Sequence, residues 1–154
     1  MPDSPIQPRS SQDSKPNTHC FVCGPDNAIG LQLSFRLEGD FCRTEFVPDV
    51  RHQGYDGWLH GGILAAVLDD VMANWFFLKG IKAVTGKMEI RYRAPIPIGS
   101  HLKAESWLTE RRGGLGWLQC KAVNGSGDVL AEATGTYRIM ESEKKSPESQ
   151  SGVD

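Results

Sequence analysis

Asp69 and Asp70 interrupt the longest apolar run of the chain, Ile63 to Leu78, where Asn74 is the only other strongly polar residue. A carboxylate there lies far from the N-terminal end of a helix, where the macrodipole would favour it. Burying it unpaired is costly, so each acid must find partners, reach a wet cavity or hold its proton more tightly. At helical spacing Asp69 neighbours Ala65, Ala66, Met72 and Ala73. Three alanines around an acid leave room for a substrate, and a carboxylate beside such room can activate water or attack a carbonyl directly. Asp70 points about 100° away and has Asn74 within reach. For either aspartate, structural pairing and catalysis both remain open from this pattern alone.

His60-Gly61-Gly62 stands immediately before that run. Two glycines at a helix start allow close approach of a ligand or another chain, and the first-turn N–H groups have no intrahelical partners. Such donors can stabilise a carbonyl oxygen as it gains charge, although a helix start that needs small residues for packing explains the same dipeptide. Asp69 lies eight residues beyond Gly61, or about 12 Å along one helix at 1.5 Å per residue. The two cannot grip one reacting atom from the same helix. If both are catalytic, the amides of one helix must meet the carboxylate of another, which requires a dimer with composite sites.

The segment Pro48 to His60 supplies further polar and aromatic groups: His52, Gln53, Gly54, Tyr55 and Trp58. Gln53, Gly54, Tyr55 and Trp58, with Gly62, Ala65 and Ala66, form the expected substrate-facing set, a loop being the usual place for such groups, while His52 reads as an ordinary loop histidine near them. Trp75, Phe76 and Phe77 could line an acyl pocket or simply pack. Arg91, Arg93, Arg111 and Arg112 could meet phosphates at a pocket mouth or form a solvated sheet face. Cys20-x-x-Cys23 has only His19 close by, with Cys42 and His52 as remote donors. A structural zinc needs four ligands, so the spacing favours a packed turn over metal, and no metal or cofactor is assigned. Gly24 stands where a haem-attachment motif needs His.

The elements that must position these groups are read from periodicity. Gly61 to Leu78 predicts the one long helix, closed by Lys79-Gly80, and it is apolar nearly all round, so the rest of the chain must wrap it. Period-two alternation predicts strands over Leu31 to Leu37, Phe41 to Val47, Val84 to Arg93, and around Leu102/Leu108, Leu118/Ala122 and Val129/Ile139, with turns at Glu38-Gly39-Asp40, Arg112-Gly113-Gly114 and Asn124 to Asp128. Val84, Met88, Ile90 and Tyr92 are expected to share one face. Strict alternation puts Thr85 on the polar face with Lys87 unless Gly86 forms a bulge. The fold class is α+β, about six antiparallel strands around one helix. Residues 1–18 and 141–154 are too polar to offset the entropy of ordering and are expected to be mobile tails around a domain over 19–140.

The full chain has 154 residues, a net charge of −2, and 39% apolar and 23% charged residues, the composition of one soluble domain. It lacks the basic field that nucleic acid or an anionic membrane surface would require. The apolar run falls short of the roughly 20 residues of a membrane span. Four cysteines are too few for a disulfide-stapled scaffold, so a reduced, cytoplasmic protein is expected.

The run His60-Gly61-Gly62-Ile63-Leu64-Ala65-Ala66-Val67-Leu68-Asp69, followed by Val84-Thr85 and Tyr92-Arg93-Ala94-Pro95-Ile96-Pro97-Ile98-Gly99, resembles the hotdog-fold acyl-CoA thioesterases of the PaaI-like type. Cys20-Phe21-Val22-Cys23-Gly24, Asn27, Gly30-Leu31 and His52-Gln53-Gly54 resemble one branch of that superfamily, and the likeness spans Cys20 to Ile139. It implies a hotdog homodimer or dimer of dimers that hydrolyses an acyl-CoA thioester. Asp69 would be the acid, the Gly61 N–H of the opposite protomer the oxyanion donor, and Thr85 a hydroxyl holding the attacking water. His60 and Gly62 complete the expected set. Many relatives place Asn six residues before the HGG histidine; this chain has Gly54 there, with Gln53 beside it as a candidate substitute. A hotdog protein that binds an acyl thioester without cleaving it is the main rival, and a dehydratase using His60 a weaker one.

Overall fold

The computed structural model describes residues 17–140. Beyond Asn17 and Thr18, the two expected tails lie outside the described residues. The helix α1 spans Gly61–Phe77. Its start is fixed by His60, whose ring Nδ1 accepts the Gly62 N–H at 2.8 Å and so satisfies one of the orphan donors of the first turn. At the other end Gly80 turns into the left-handed region at φ +74°, and the Ile81 N–H returns to the Phe76 carbonyl at 3.0 Å. Leu64, Val67, Leu68, Val71, Met72, Trp75 and Phe76 are all buried, as the nearly all-round apolar run requires.

Six antiparallel strands form one sheet: β1 (Arg36–Glu38), β2 (Phe41–Phe46), β3 (Ala83–Tyr92), β4 (Leu102–Arg112), β5 (Leu115–Val123) and β6 (Val129–Ile139), in the order β1-β2-β4-β5-β6-β3. Gly113 and Gly114, at φ +60° and +77°, supply the two positive-φ positions that join β4 to β5 in a tight hairpin. One face of the sheet packs on α1 through Cys42, Leu102, Ala104, Leu118, Cys120, Ala131, Ala133 and Tyr137. Ser106, fully buried on that face, donates to the Val71 carbonyl at 2.6 Å and so satisfies its own hydroxyl inside the core. The expected α+β architecture of six strands and one helix is present.

Two expectations fail locally. The segment Leu31 to Phe35 is not a sheet strand, and β1 is confined to three residues. Gln32 sits at φ +54°, which breaks an extended run, and the Leu31 and Leu33 N–H groups bond instead to the carbonyls of Phe21 and Val22, both at 2.8 Å. The N-terminal segment thus competes successfully for backbone partners that the sheet would otherwise supply. In β3 the register against β6 shifts between Thr85 and Lys87. The extra residue at this bulge reverses the side-chain alternation, so Val84 does not share a face with Met88 and Ile90 but is 45% exposed, while Thr85 turns toward the helix.

Candidate active site

The centre of α1 and two strands of the sheet converge on the Asp69 carboxylate. Thr85, on β3, donates its hydroxyl to Asp69 Oδ1 at 2.7 Å. Tyr137, on β6, donates to the same oxygen at 2.7 Å and to the Asp69 backbone carbonyl at 3.0 Å. The convergence follows from the register, since Thr85 and Tyr137 are direct cross-strand partners on neighbouring strands. The Gly86 bulge makes it possible by aiming Thr85 inward; regular alternation would have put Thr85 on the polar face with Lys87. No side chain among the described residues bonds Oδ2, so one oxygen is anchored and the other is free for chemistry. Burial, followed by the Asp69 charge, pushes the Tyr137 phenol well above its ordinary value of 10, so it stays protonated and can only donate to Asp69.

Tyr137 shares the strand parity of Val129, Ala131 and Ala133 on β6, an inward-facing position, and nothing in the neighbouring residues marks it as a partner of Asp69. Its pairing with the strand that follows the helix would have identified it.

Asp70 faces the other way. Asn74 donates to its Oδ2 at 3.0 Å and to its backbone carbonyl at 2.9 Å, the helical pairing the spacing allows. Burial raises the Asp70 carboxyl above the usual range, opposed by hydrogen bonds from Cys23, Cys20 and Asn74.

The helix start forms a second cluster. Gly61 occupies the first helical position, its carbonyl accepts the Tyr92 hydroxyl at 2.8 Å, and its N–H has no partner among the described residues. A Cβ on Gly61 would meet the Tyr92 ring at 3.6 Å, an ordinary contact, so packing within the chain does not demand glycine there. Gly62 differs: its N–H is held by His60, and a Cβ would lie 2.9 Å from the His60 ring. The Gly62 amide is therefore committed to the cap that His60 provides, which leaves the Gly61 N–H as the unpartnered amide of the pair among the described residues. A shallow depression of about 310 Å³ lined by Gly61, Leu64, Tyr92 and Ala94 opens beside the free amide.

The remaining expected residues are dispersed. Gln53 Oε1 accepts the Gly57 N–H at 3.1 Å, which ties its amide to its own loop, and the Gly54 N–H bonds the Trp58 carbonyl at 2.9 Å. Tyr55 is 88% exposed and Trp58 is exposed too, so neither lines a pocket within one chain. Ala65 and Ala66 are half-buried on α1. Trp75 and Phe76 are core residues, with the Trp75 indole donating to the Asp40 carbonyl at 3.0 Å. Arg93 pairs with Glu132, while Arg112 pairs with Glu110 and lies over the Trp117 ring. His52 is structural, its Nδ1 accepting the Asp49 N–H at 2.9 Å.

Residues 56–131 match the family model described as Thioesterase superfamily. The chain is 30% identical over 129 residues to acyl-coenzyme A thioesterase THEM4 of Bos taurus, an alignment that covers 82% of this chain and 53% of that protein. It thus spans about half the length of the curated relative it matches. Among solved structures it resembles protein RHA08564, a thioesterase superfamily protein, with a TM-score of 0.73 and 25% identity over 78% of this chain and 63% of that one. It also shares the fold of the Escherichia coli PaaI protein from the phenylacetic acid degradation operon, with a TM-score of 0.67, 19% identity, and coverage of 72% and 81%. The helix on a six-stranded antiparallel sheet is the hotdog fold.

Proposed function

Starting from a chain that belongs to the thioesterase superfamily and has its hotdog, PaaI-like fold, we propose that it hydrolyses acyl-CoA thioesters at a site shared between two copies. One observation carries the reading: the mid-helix Asp69 carboxylate is held at Oδ1 by two hydroxyls and leaves Oδ2 open beside alanines. Thr85, donating to Asp69, keeps lone pairs that can accept from a water and orient it. Asp69 then takes the water proton as the oxygen attacks the thioester carbonyl, and the tetrahedral oxyanion is held by the Gly61 N–H. Collapse breaks the carbon–sulfur bond, and the leaving thiolate takes up the proton to give coenzyme A and a carboxylic acid. Direct attack by Asp69 through an anhydride uses the same residues.

The dimer is supported by the placement of β3. This strand is an outer edge of the sheet, and it touches both parts of the site: Thr85 near its start reaches Asp69, and Tyr92 at its end reaches Gly61. Antiparallel pairing of two β3 edges about a two-fold axis near Met88 would set the Asp69 end of one copy against the Gly61 end of its mate. The separation of about 12 Å along one helix is then bridged between helices. Such dimers could pair further into tetramers.

Thiol release from a panel of acyl-CoA substrates tests the reading. Asp69→Asn should lower turnover at least about a hundredfold with an unchanged circular dichroism spectrum. Wild-type turnover in that variant would overturn the assignment, and calorimetric binding of acyl-CoA without thiol release by the native protein would favour a non-catalytic binder.

A further inference from the structure

The Cys20-x-x-Cys23 turn has no part in the site just described, yet it is pressed against an adjoining face of the same helix. The turn is closed by Gly24 N–H to Cys20 carbonyl and Asp26 N–H to Thr18 carbonyl bonds of 2.8 and 2.9 Å. Gly24 is required there, since a Cβ would lie 2.4 to 2.5 Å from the Cys20 and Thr18 backbone. This fold brings both thiols onto Asp70, fifty residues away, with Cys20 Sγ 3.8 Å from Asp70 Oδ1. The two sulfurs and a carboxylate oxygen all lie within 4.8 Å of one another.

We propose that Cys20, Cys23 and Asp70 form a zinc site that clasps the N-terminal turn to helix α1. Ligands around tetrahedral zinc, at about 2.3 Å for sulfur and 2.0–2.2 Å for oxygen, stand roughly 3.5–3.8 Å apart. The Cys20–Asp70 separation already meets that spacing, and the cluster needs to contract by no more than about 1 Å elsewhere. Two thiolates select zinc over magnesium or calcium. Asn74 holds the second Asp70 oxygen at 3.0 Å, an outer hydrogen bond that leaves Oδ1 aimed at the sulfurs. The cluster opens on a cavity of about 1240 Å³ that His19 also lines, so the fourth position is reachable by water or by that ring. The ligands the sequence pointed to as remote donors, Cys42 and His52, are not used: Cys42 is fully buried in the core and His52 caps its own turn. The ligand that local spacing does not disclose is Asp70. Zinc binding displaces a proton from each thiol and leaves the carboxylate ionised, so no oxidant or reductant is needed.

The test uses the full chain purified without an affinity tag, stripped with a chelator, then titrated with zinc or with cobalt as a spectroscopic probe. About one equivalent of zinc per chain should be retained through gel filtration, and cobalt should give the intense near-ultraviolet band of thiolate ligation. Asp70→Asn should weaken cobalt binding at least about a hundredfold, the Cys20→Ser/Cys23→Ser pair should abolish the band, and Cys42→Ser should leave both unchanged. Circular dichroism of each stripped variant checks the fold. Failure of the reduced wild-type chain to take up zinc, cobalt uptake without the thiolate band, or equal binding by Asp70→Asn would each overturn the proposal. So would a Cys20–Cys23 disulfide that, once reduced, leaves a chain unable to bind either metal. None of these readouts depends on turnover.

Discussion

Gly61→Pro isolates the proposed oxyanion donor more cleanly than any alanine substitution. Gly61 is the first residue of α1, its N–H bonds nothing among the described residues, and proline is favoured at that position because its missing N–H is an orphan anyway. The preceding His60 has ψ 129°, within the extended range that a following proline imposes. The fold should therefore change by no more than about 0.5 kcal/mol, the range of ordinary surface substitutions. Loss of one preorganised donor to the developing oxyanion costs about 2.7–4 kcal/mol in other enzymes, so turnover should fall roughly 100- to 1000-fold at unchanged melting temperature. The decisive assay mixes inactive Gly61→Pro with inactive Asp69→Asn protein and lets the subunits exchange. In a mixed dimer one composite site carries both changes and the other carries neither. With random pairing at equal amounts half of the dimers are mixed, and thiol release should recover to about a quarter of the wild-type rate per chain. No recovery after proven subunit exchange would refute the composite site, and full activity of Gly61→Pro alone would remove this amide from the mechanism.

Substitutions at three further positions probe the supports of Asp69 and of the helix start. Thr85→Val keeps the shape of the side chain but removes its hydroxyl; turnover should fall roughly tenfold or more, while Thr85→Ser retains most of it, as measured by thiol release. Tyr137→Phe removes two bonds to Asp69 and should cost about 1.5–3 kcal/mol of stability in urea titrations at neutral pH. The same pair of proteins should differ in alkali. The unfolded phenol ionises near 10 while the folded Tyr137 keeps its proton, so the native wild-type chain holds one more proton above that pH. Its stability should fall by about 1.4 kcal/mol per further pH unit relative to Tyr137→Phe, and parallel curves would refute the buried, protonated phenol. Gly62→Ala forces the His60 ring out of its capping position and should destabilise the helix start by about 1 kcal/mol in thermal unfolding, a loss that Gly61→Ala, whose Cβ makes an ordinary contact with the Tyr92 ring, should not share.

What the residues disclosed depended on how local the cause was. The helix could be read from Gly61 to its glycine stop because cap, apolar run and terminator are contiguous, and the hairpin at Gly113-Gly114 because a two-residue turn needs positive φ at both positions. Asp69 stood out because an acid in an alanine stretch conflicts with its surroundings. Tyr137 did not: alternation says that it points inward, but only the β3–β6 register says that its hydroxyl ends on a residue 68 positions earlier. The same limit applied to Asp70, whose sulfur neighbours come from a segment fifty residues upstream. Leu31 to Phe35 has the alternation of a strand but lies beside the N-terminal turn, because partner availability and not periodicity decides which extended segments join a sheet. At Thr85 the two possibilities were a regular pleat or a bulge, and glycine at position 86, whose Cβ would crowd the Thr136 carbonyl at 3.2 Å, accompanies the bulge.

That one additional residue in β3 has a practical consequence for anyone grafting this acid–hydroxyl pair onto a designed scaffold. The same residues laid on a perfectly pleated strand would present valine to the acid and hide the threonine, so Gly86 and its bulge must be transplanted together or left out together. Removing Gly86 alone would leave Thr85 opposite Tyr137 and Lys87 opposite Thr136 in an uninterrupted ladder, with the threonine still facing the helix.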